Sequence, residues 1–417
     1  LYGCAVNPVT GERELSFLSR EEEIEIDRKY APRQFSNDFG TVQDRELNDY
    51  VNSVGLKLAK KSHRPNMPYS FRVTNAHYMN AYAFPGGSIA VTRYLVANLE
   101  NEEELAAVLG HEIGHVNARH TAALMTKATL LQGLLNIGSI ALGTALGQDY
   151  PTLVRTFPLL GSIGGKLYLA SYSRDNERQA DELGQLYMAR AGYDPMGMAD
   201  TMLILQKEHE REPSALEILF STHPMTEERY IKAKERAEIL YRSYRNRPDY
   251  RERFLEHTKR VRALLPLMKS LINGDKAARQ KKLKEAEAYY LKAISYKEDD
   301  YAANCRIGEF YIATGRSRKA IPYLERARRI YPQEPRSAKA LATAYAMEKR
   351  WYRALENYTI ADRLLPGDPE MLFLKGRCYE GMGRRREAAI YYSKFLKTGQ
   401  RGEMAKYAYD RLVEWGY

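Results

Sequence analysis

Two periodicities divide the first half of the chain. Residues 72–92, RVTNAHYMNAYAFPGGSIAVT, alternate apolar and polar positions around a Pro-Gly-Gly turn, which predicts strands. From residue 98 the stretch NLENEEELAAVLGHEIGHVNARHTA changes to helical spacing, with Asn101 and Glu104 placed as a capping box and three acids in the first turn. A second helix is predicted in SYSRDNERQADELGQLYMARAGYDP, stopped by Gly192 and Pro195. Residues 226–266 are helical in pattern and read as a connector packed on the first half.

Beyond 267 the pattern repeats every 34 residues. Gly308, Tyr311, Gly315, Ala320, Leu324, Ala327 and Pro332 are matched one period on by Ala342, Tyr345, Ala354, Tyr358, Ala361 and Pro366. A further period gives Gly376, Tyr379, Gly383, Ala388, Tyr392 and Phe395, and one period earlier Gly274, Ala286, Tyr290 and Ala293 keep the phase. This resembles the tetratricopeptide repeat, in which small residues let two helices approach and proline ends the second. Four repeats over 267–402 and a closing helix from GEMAKYAYDRLVEWGY form the expected solenoid.

Charge follows the same division. Residues 226–417 hold 43 Lys+Arg against 26 Asp+Glu and residues 1–225 hold 21 against 27, so the halves carry +17 and −6. The basic excess alternates with helix-core positions, as a solvated helical surface does, and no nucleic-acid partner is expected. Of three cysteines, Cys305 and Cys378 sit in the repeats as small buried thiols. Cys4, in LYGC, resembles the lipid-attachment cysteine of a bacterial lipoprotein, which implies an exported, lipid-anchored protein.

Candidate chemistry centres on LGHEIGHVNARH, residues 109–120. Helical residues four apart share a face with Cβ atoms about 5 to 6 Å apart, so His111 and His115 reach one ion. Glu112 points to the adjacent edge, placed to take a proton from the attacking water without being a ligand. Gly110 and Gly114 let another backbone come close. His120, five past His115, falls on a different face of a continuous helix and reads as a surface or helix-end histidine. A metzincin's third histidine would stand at Thr121. A third ligand is expected from Glu177, with Asp181, four residues on, bonding the far nitrogen of a ligating histidine.

HEIGH, ERQAD about sixty residues later, STHPMTEER and the upstream NAYAFPGGSIAVT resemble the HtpX-like and CAAX-prenyl-protease family of zinc endopeptidases. GCAVNPVTGERELSFLS and the repeats resemble its periplasmic branch. The resemblance implies a mostly α chain: a gluzincin-type α+β metalloprotease domain with a small β-sheet, followed by an α-solenoid. The expected segments are an N-terminal lipoprotein-like piece (1–18), the protease domain (19–225), the connector (226–266) and the repeats (267–417). It implies one Zn2+ per chain on His111, His115 and Glu177, Glu112 as general base and acid, and Asn80 with Ala81 on the strand that pairs with substrate backbone. Tyr94 stands where relatives often carry glycine, which bears on the shape of the cleft.

His223, before Pro224, is held out of helical geometry. It either donates to the developing oxyanion, with Arg229 as a second helper, or binds zinc and fills the position that water needs; the second suits a resting envelope protease. The uncharged stretch 128–148 is long enough to span a membrane, but the only return segment carries Arg155, Lys166 and two prolines. An apolar hairpin over the cleft is expected instead, with a membrane-dipping loop as the alternative. The function implied is cleavage of unfolded or misassembled proteins, chiefly outer-membrane proteins, in the bacterial periplasm, with the repeats binding substrate or outer-membrane assembly machinery. The rival is a chaperone or assembly scaffold with occasional proteolysis.

Overall fold

The computed structural model describes residues 4–15, 18–126 and 172–417. The apolar stretch 128–148, and Arg155 and Lys166 beyond it, lie outside the described residues, so the expected hairpin falls there too. Among the described residues no helix is long and apolar enough to cross a membrane. The chain separates into two compact units, Leu1–Phe35 with Thr41–Leu265, and Ser36–Gly40 with Pro266–Tyr417. The connector helices thus lie in the first unit.

The first unit opens with a hairpin of β1 (Cys4–Val6) and β2 (Arg13–Leu15), followed by α1 (Arg20–Asn37) and α2 (Arg45–Ala59). The Asp44 side chain accepts from Leu47 N and starts α2, whose Leu47, Val51, Val54 and Leu58 turn inward. The sheet runs β3 (Ser70–Thr74), β5 (Ser88–Thr92), β4 (Ala81–Ala83) in space, β3 parallel and β4 antiparallel to β5. Helix α2 lies so close to β3 that a Cβ on Gly55 would stand 2.3 Å from Phe71 Cγ, so only glycine fits. Ile89 to Thr92 of β5 are all buried, so both faces of this central strand are covered. Thr92 is accommodated because its hydroxyl accepts from Asn80 N (3.1 Å) and Leu95 N (3.3 Å), the latter capping α3 (Arg93–Asn98).

Helix α4 (Glu102–Asn117) starts as its sequence predicts, Asn101 Oδ1 accepting from Glu104 N at 2.9 Å. The return bond of the box is displaced: the Glu104 carboxylate receives Glu100 N and Asn101 Nδ2. Helices α5 (Arg174–Ala191), α6 (Gly197–Arg211), α7 (Pro213–Thr222), α8 (Glu227–Ile239) and α9 (Arg251–Arg262) complete the unit. Tyr94 is fully buried with its hydroxyl donating to Glu208 Oε1 at 2.7 Å, so it serves the core.

In the second unit, helix pairs α10 (Leu265–Arg279) and α11 (Leu283–Tyr296), α12 (Tyr301–Ala313) and α13 (Ser317–Ile330), α14 (Pro335–Met347) and α15 (Trp351–Leu364), α16 (Pro369–Gly381) and α17 (Arg385–Leu396) follow the 34-residue phase. The small positions sit where the pairs touch: Cβ atoms added at Gly274, Gly308 and Gly376 would meet Tyr290, Leu324 and Tyr392. Helix α18 (Glu403–Glu414) closes the stack by burying Ala408 and Leu412 against Phe373, Tyr392 and Phe395.

Candidate metal centre

Two helices crossing at glycines build the site. A Cβ on Gly114 would stand 2.8 Å from Ala180 O, and one on Gly110 3.1 Å from Gly184 O, so α4 and α5 touch backbone to backbone. That contact sets His111 and His115 of α4 against Glu177 of α5. The Nε2 atoms of the two histidines are 3.0 Å apart, and Glu177 oxygens lie 3.6 Å from His111 Nε2 and 3.4 Å from His115 Nε2.

His223 completes the group. Helix α7 ends at Thr222, His223 adopts φ −123° and ψ 82° before Pro224, and Thr226 then caps α8 by accepting from Arg229 N. The resulting turn carries His223 inward, where its Nδ1 is 3.0 Å from Glu177 Oε1 and 3.4 Å from His111 Nε2. One donor atom from each of His111, His115, Glu177 and His223 lies within 4.8 Å of the others, and all four residues are buried. About a tetrahedral ion with bonds of about 2.0 to 2.1 Å, ligand atoms stand roughly 3.3 Å apart. Five of the six pairs lie 3.0 to 3.6 Å apart, which brackets that spacing, and the group as a whole falls within 4.8 Å, so it can hold a metal ion.

Glu112 is buried beside these donors with its Oε2 unpartnered, while Oε1 lies 3.8 Å from His223 Nε2. Burial raises its pKa above the usual carboxylate range, although His223 and His111 pull the other way. For Glu177 burial acts upward too, but His223, His115 and His111 outweigh it and hold the carboxyl well below its ordinary value. The two acids therefore differ by environment: one is kept ionised by the groups that bond it, the other is suited to carrying a proton.

Asp181 stands where its spacing placed it, its Oδ1 2.9 Å from His111 Nδ1. Arg229 is engaged on every nitrogen. Nε and Nη2 donate to the two Asp181 oxygens at 2.7 and 2.8 Å, Nη1 donates to Pro224 O at 2.8 Å and also lies 2.8 Å from Glu177 Oε2, an ion pair without hydrogen-bond alignment. In this geometry Arg229 clamps the carboxylates of Asp181 and Glu177.

Two further residues have partners that spacing did not show. Asn80 is spoken for, its N–H bonding Thr92 Oγ1 and its C=O accepting from Thr92 N at 2.9 Å. With the Phe84 N to Ser88 O bond this fixes the antiparallel alternation, so the outer edge of β4 is presented by the backbones of Ala81 and Ala83. His120 is no surface residue. It is 3% exposed, and its Nδ1 is 2.8 Å from His115 Nδ1. Tyr172, which sequence reasoning missed, stacks on His115 with ring centroids 3.9 Å apart. An apolar cavity lined by Met198, Met202, Leu205, Leu219 and Met225 opens beside His111, Glu112 and Ala81.

Residues 45–237 match the model of Peptidase family M48, and residues 277–344 and 369–398 match tetratricopeptide repeats. The chain carries an M48 peptidase domain followed by tetratricopeptide repeats. The M48 domain contains every donor of the metal group and Glu112 between them. The chain is 32% identical over 233 residues to the Beta-barrel assembly-enhancing protease of Escherichia coli (strain K12), covering 55% of this chain and 47% of that protein. It is 29% identical over 238 residues to the Mitochondrial metalloendopeptidase OMA1 of Arabidopsis thaliana, covering 56% of this chain and 44% of that one. To the Metalloprotease LoiP of Escherichia coli (strain K12) it is 28% identical over 192 residues, covering 46% of this chain and 69% of that one. The chain thus spans about half the length of the assembly-enhancing proteases it matches.

Proposed function

We infer that this protein is a zinc-dependent endopeptidase of the bacterial cell envelope, acting on unfolded or misassembled polypeptides, chiefly outer-membrane proteins. The observation that carries this reading is the buried donor group with the unpartnered Glu112 oxygen beside it. Bound there by His111, His115 and Glu177, zinc supplies Lewis acidity to the attacking water and to the scissile carbonyl. Glu112 takes the proton of the attacking water and returns it to the leaving amine, a double duty to which its raised pKa is suited. The backbones of Ala81 and Ala83 pair with an extended substrate segment, which favours unfolded clients. The apolar cavity beside Glu112 receives a substrate side chain flanking the scissile bond. Ala83 and the cavity thus join Ala81 in place of the Asn80 backbone.

His223 serves as a fourth donor in the resting protein and withdraws when a client binds, since its Nδ1 already faces Glu177 and His111. The repeats hold substrate or assembly partners, and Cys4 carries a lipid that anchors the chain to the outer membrane. Digestion of an unfolded porin tests the reading. Glu112→Gln is expected to retain about one zinc per chain and lose hydrolysis, and unchanged cleavage by that variant would overturn the mechanism. His223→Ala is expected to be at least as active as the parent; a variant that binds zinc and is nearly inert would assign His223 to the oxyanion instead. Acyl attachment detected by mass, lost in Cys4→Ser, tests the anchor.

A further inference from the structure

His115 and His120 face each other through like nitrogens. The Nε2 of His115 is turned to the metal group, 3.0 Å from His111 Nε2 and 3.4 Å from Glu177 Oε1. A neutral imidazole that lends Nε2 to a metal must carry its proton on Nδ1. That Nδ1 lies 2.8 Å from His120 Nδ1, so His120 must accept there and carry its own proton on Nε2. Its Nε2 lies 2.9 Å from Gln179 Oε1, which only accepts. The three side chains are mutually consistent in one protonation pattern: His115 donates to His120, and His120 donates to Gln179. The reverse pattern would put the His115 proton on Nε2, where it blocks ligation.

Local structure explains why His120 is there at all. On an unbroken helix it would turn away from His115. Helix α4 instead stops at Asn117, and Arg119 takes the left-handed φ of 57°. That strained residue is pinned by its side chain: Nε donates to Glu23 Oε1 at 3.0 Å and Nη2 to Leu18 O. Glu23 is fully buried and is shared with Arg64 at 2.5 Å. The turn brings His120 back beneath His115.

We propose that His120 is a positioning residue for the metal centre, which with Gln179 fixes the tautomer and ring orientation of His115. The two ligand histidines are then supported differently: His111 by a carboxylate clamped to Arg229, His115 by a neutral relay. Helix α5 supplies the ends of both, Gln179 two residues and Asp181 four residues after Glu177. This rests on the reading of the group as a zinc site.

The full-length protein tests it, with zinc affinity read by chelator competition and thermal unfolding of the metal-free protein read alongside. His120→Phe keeps the ring and removes both nitrogens; zinc binding is expected to weaken by roughly 10- to 100-fold while the metal-free Tm stays near that of the parent. His120→Asn retains an acceptor near the Nδ1 position and is expected to recover most of the loss. Gln179→Leu is expected to weaken binding by itself and to add nothing to His120→Phe. Unchanged zinc affinity in His120→Phe, an affinity loss that merely tracks a lower metal-free Tm, or fully additive losses in the double variant would overturn the assignment. Should His120→Phe fail to fold, His120→Asn binding zinc more tightly than a His120→Leu, Gln179→Leu series supports it, and equal binding overturns it. A parent protein that binds no zinc overturns the metal reading itself, an outcome distinct from the others.

Discussion

A buried charge is tolerable only while its partner is present, and Arg229 with Asp181 is such a case. Both are nearly inaccessible and share two hydrogen bonds, and Asp181 also holds His111 Nδ1. Burial would raise the Asp181 pKa, but Arg229 lowers it, so the carboxylate stays charged. Arg229→Met should therefore destabilise the first unit by about 3 to 5 kcal/mol, read by urea unfolding, because an uncompensated carboxylate remains. A loss under 1 kcal/mol would show that water or another cation reaches Asp181. Sequence spacing was enough to suggest Asp181 as the partner of a histidine such as His111, since both lie on regular helices. It was not enough for Arg229, whose carboxylate partners Glu177 and Asp181 lie on α5, about fifty positions earlier.

Helix contacts carry the next level. Gly114 lets α4 approach α5 so closely that an added methyl would stand 2.8 Å from Ala180 O, a backbone atom that can move only with its helix. Gly114→Ala is expected to cost about 1 to 3 kcal/mol and, by separating His115 from Glu177, to weaken metal binding measured by chelator competition. In the repeats a Cβ added at Gly376 would stand 2.6 Å from Tyr392 Cε1, whereas the equivalent place in the preceding repeat is Ala342 opposite Tyr358. Gly376→Val should lower the Tm of the second unit while Gly376→Ala is milder, and equal effects of the two would refute the packing argument. These approaches were legible in the sequence as small residues at fixed spacing. The burial of both faces of β5 was not, because alternation marks side-chain direction and says nothing of what covers each face.

Titration acts on the stability of the molecule as a whole. Glu103 is pushed up to about 8, by burial first and then by Asp194, Asp200 and Asp249, and Glu104 to about 7, by burial with Glu100 and Asp200. Both groups hold protons in the folded state that they would release in the unfolded one near 4.5, so folded protein binds more protons across that window. Stability from this source is complete below about pH 4.5 and is lost as pH rises through 7 and 8. Glu102 works in the opposite sense: Arg253, Tyr193 and Tyr50 outweigh burial and lower its pKa, so its contribution is lost as the medium is acidified. Thermal unfolding between pH 5 and 8.5 should show a decline on the alkaline side that Glu103→Gln reduces. A flat profile in the parent would mean that these acids ionise without cost.

Sequence alone determined what depends on local periodicity. Helical spacing put His111 and His115 on one face, and a 34-residue phase gave the paired helices and their small contact positions, because each rests on geometry within a few turns of chain. Only the tertiary structure decided what depends on meetings between distant segments. His120 reaches His115 because Arg119 breaks the helix with a left-handed residue held by Glu23, nearly a hundred positions earlier. The Asn80 backbone is taken up by Thr92, and the Arg229 guanidinium is shared between Asp181 and Glu177. Hydrogen-bond capacity is finite, and which partner takes it is fixed by packing across the whole unit.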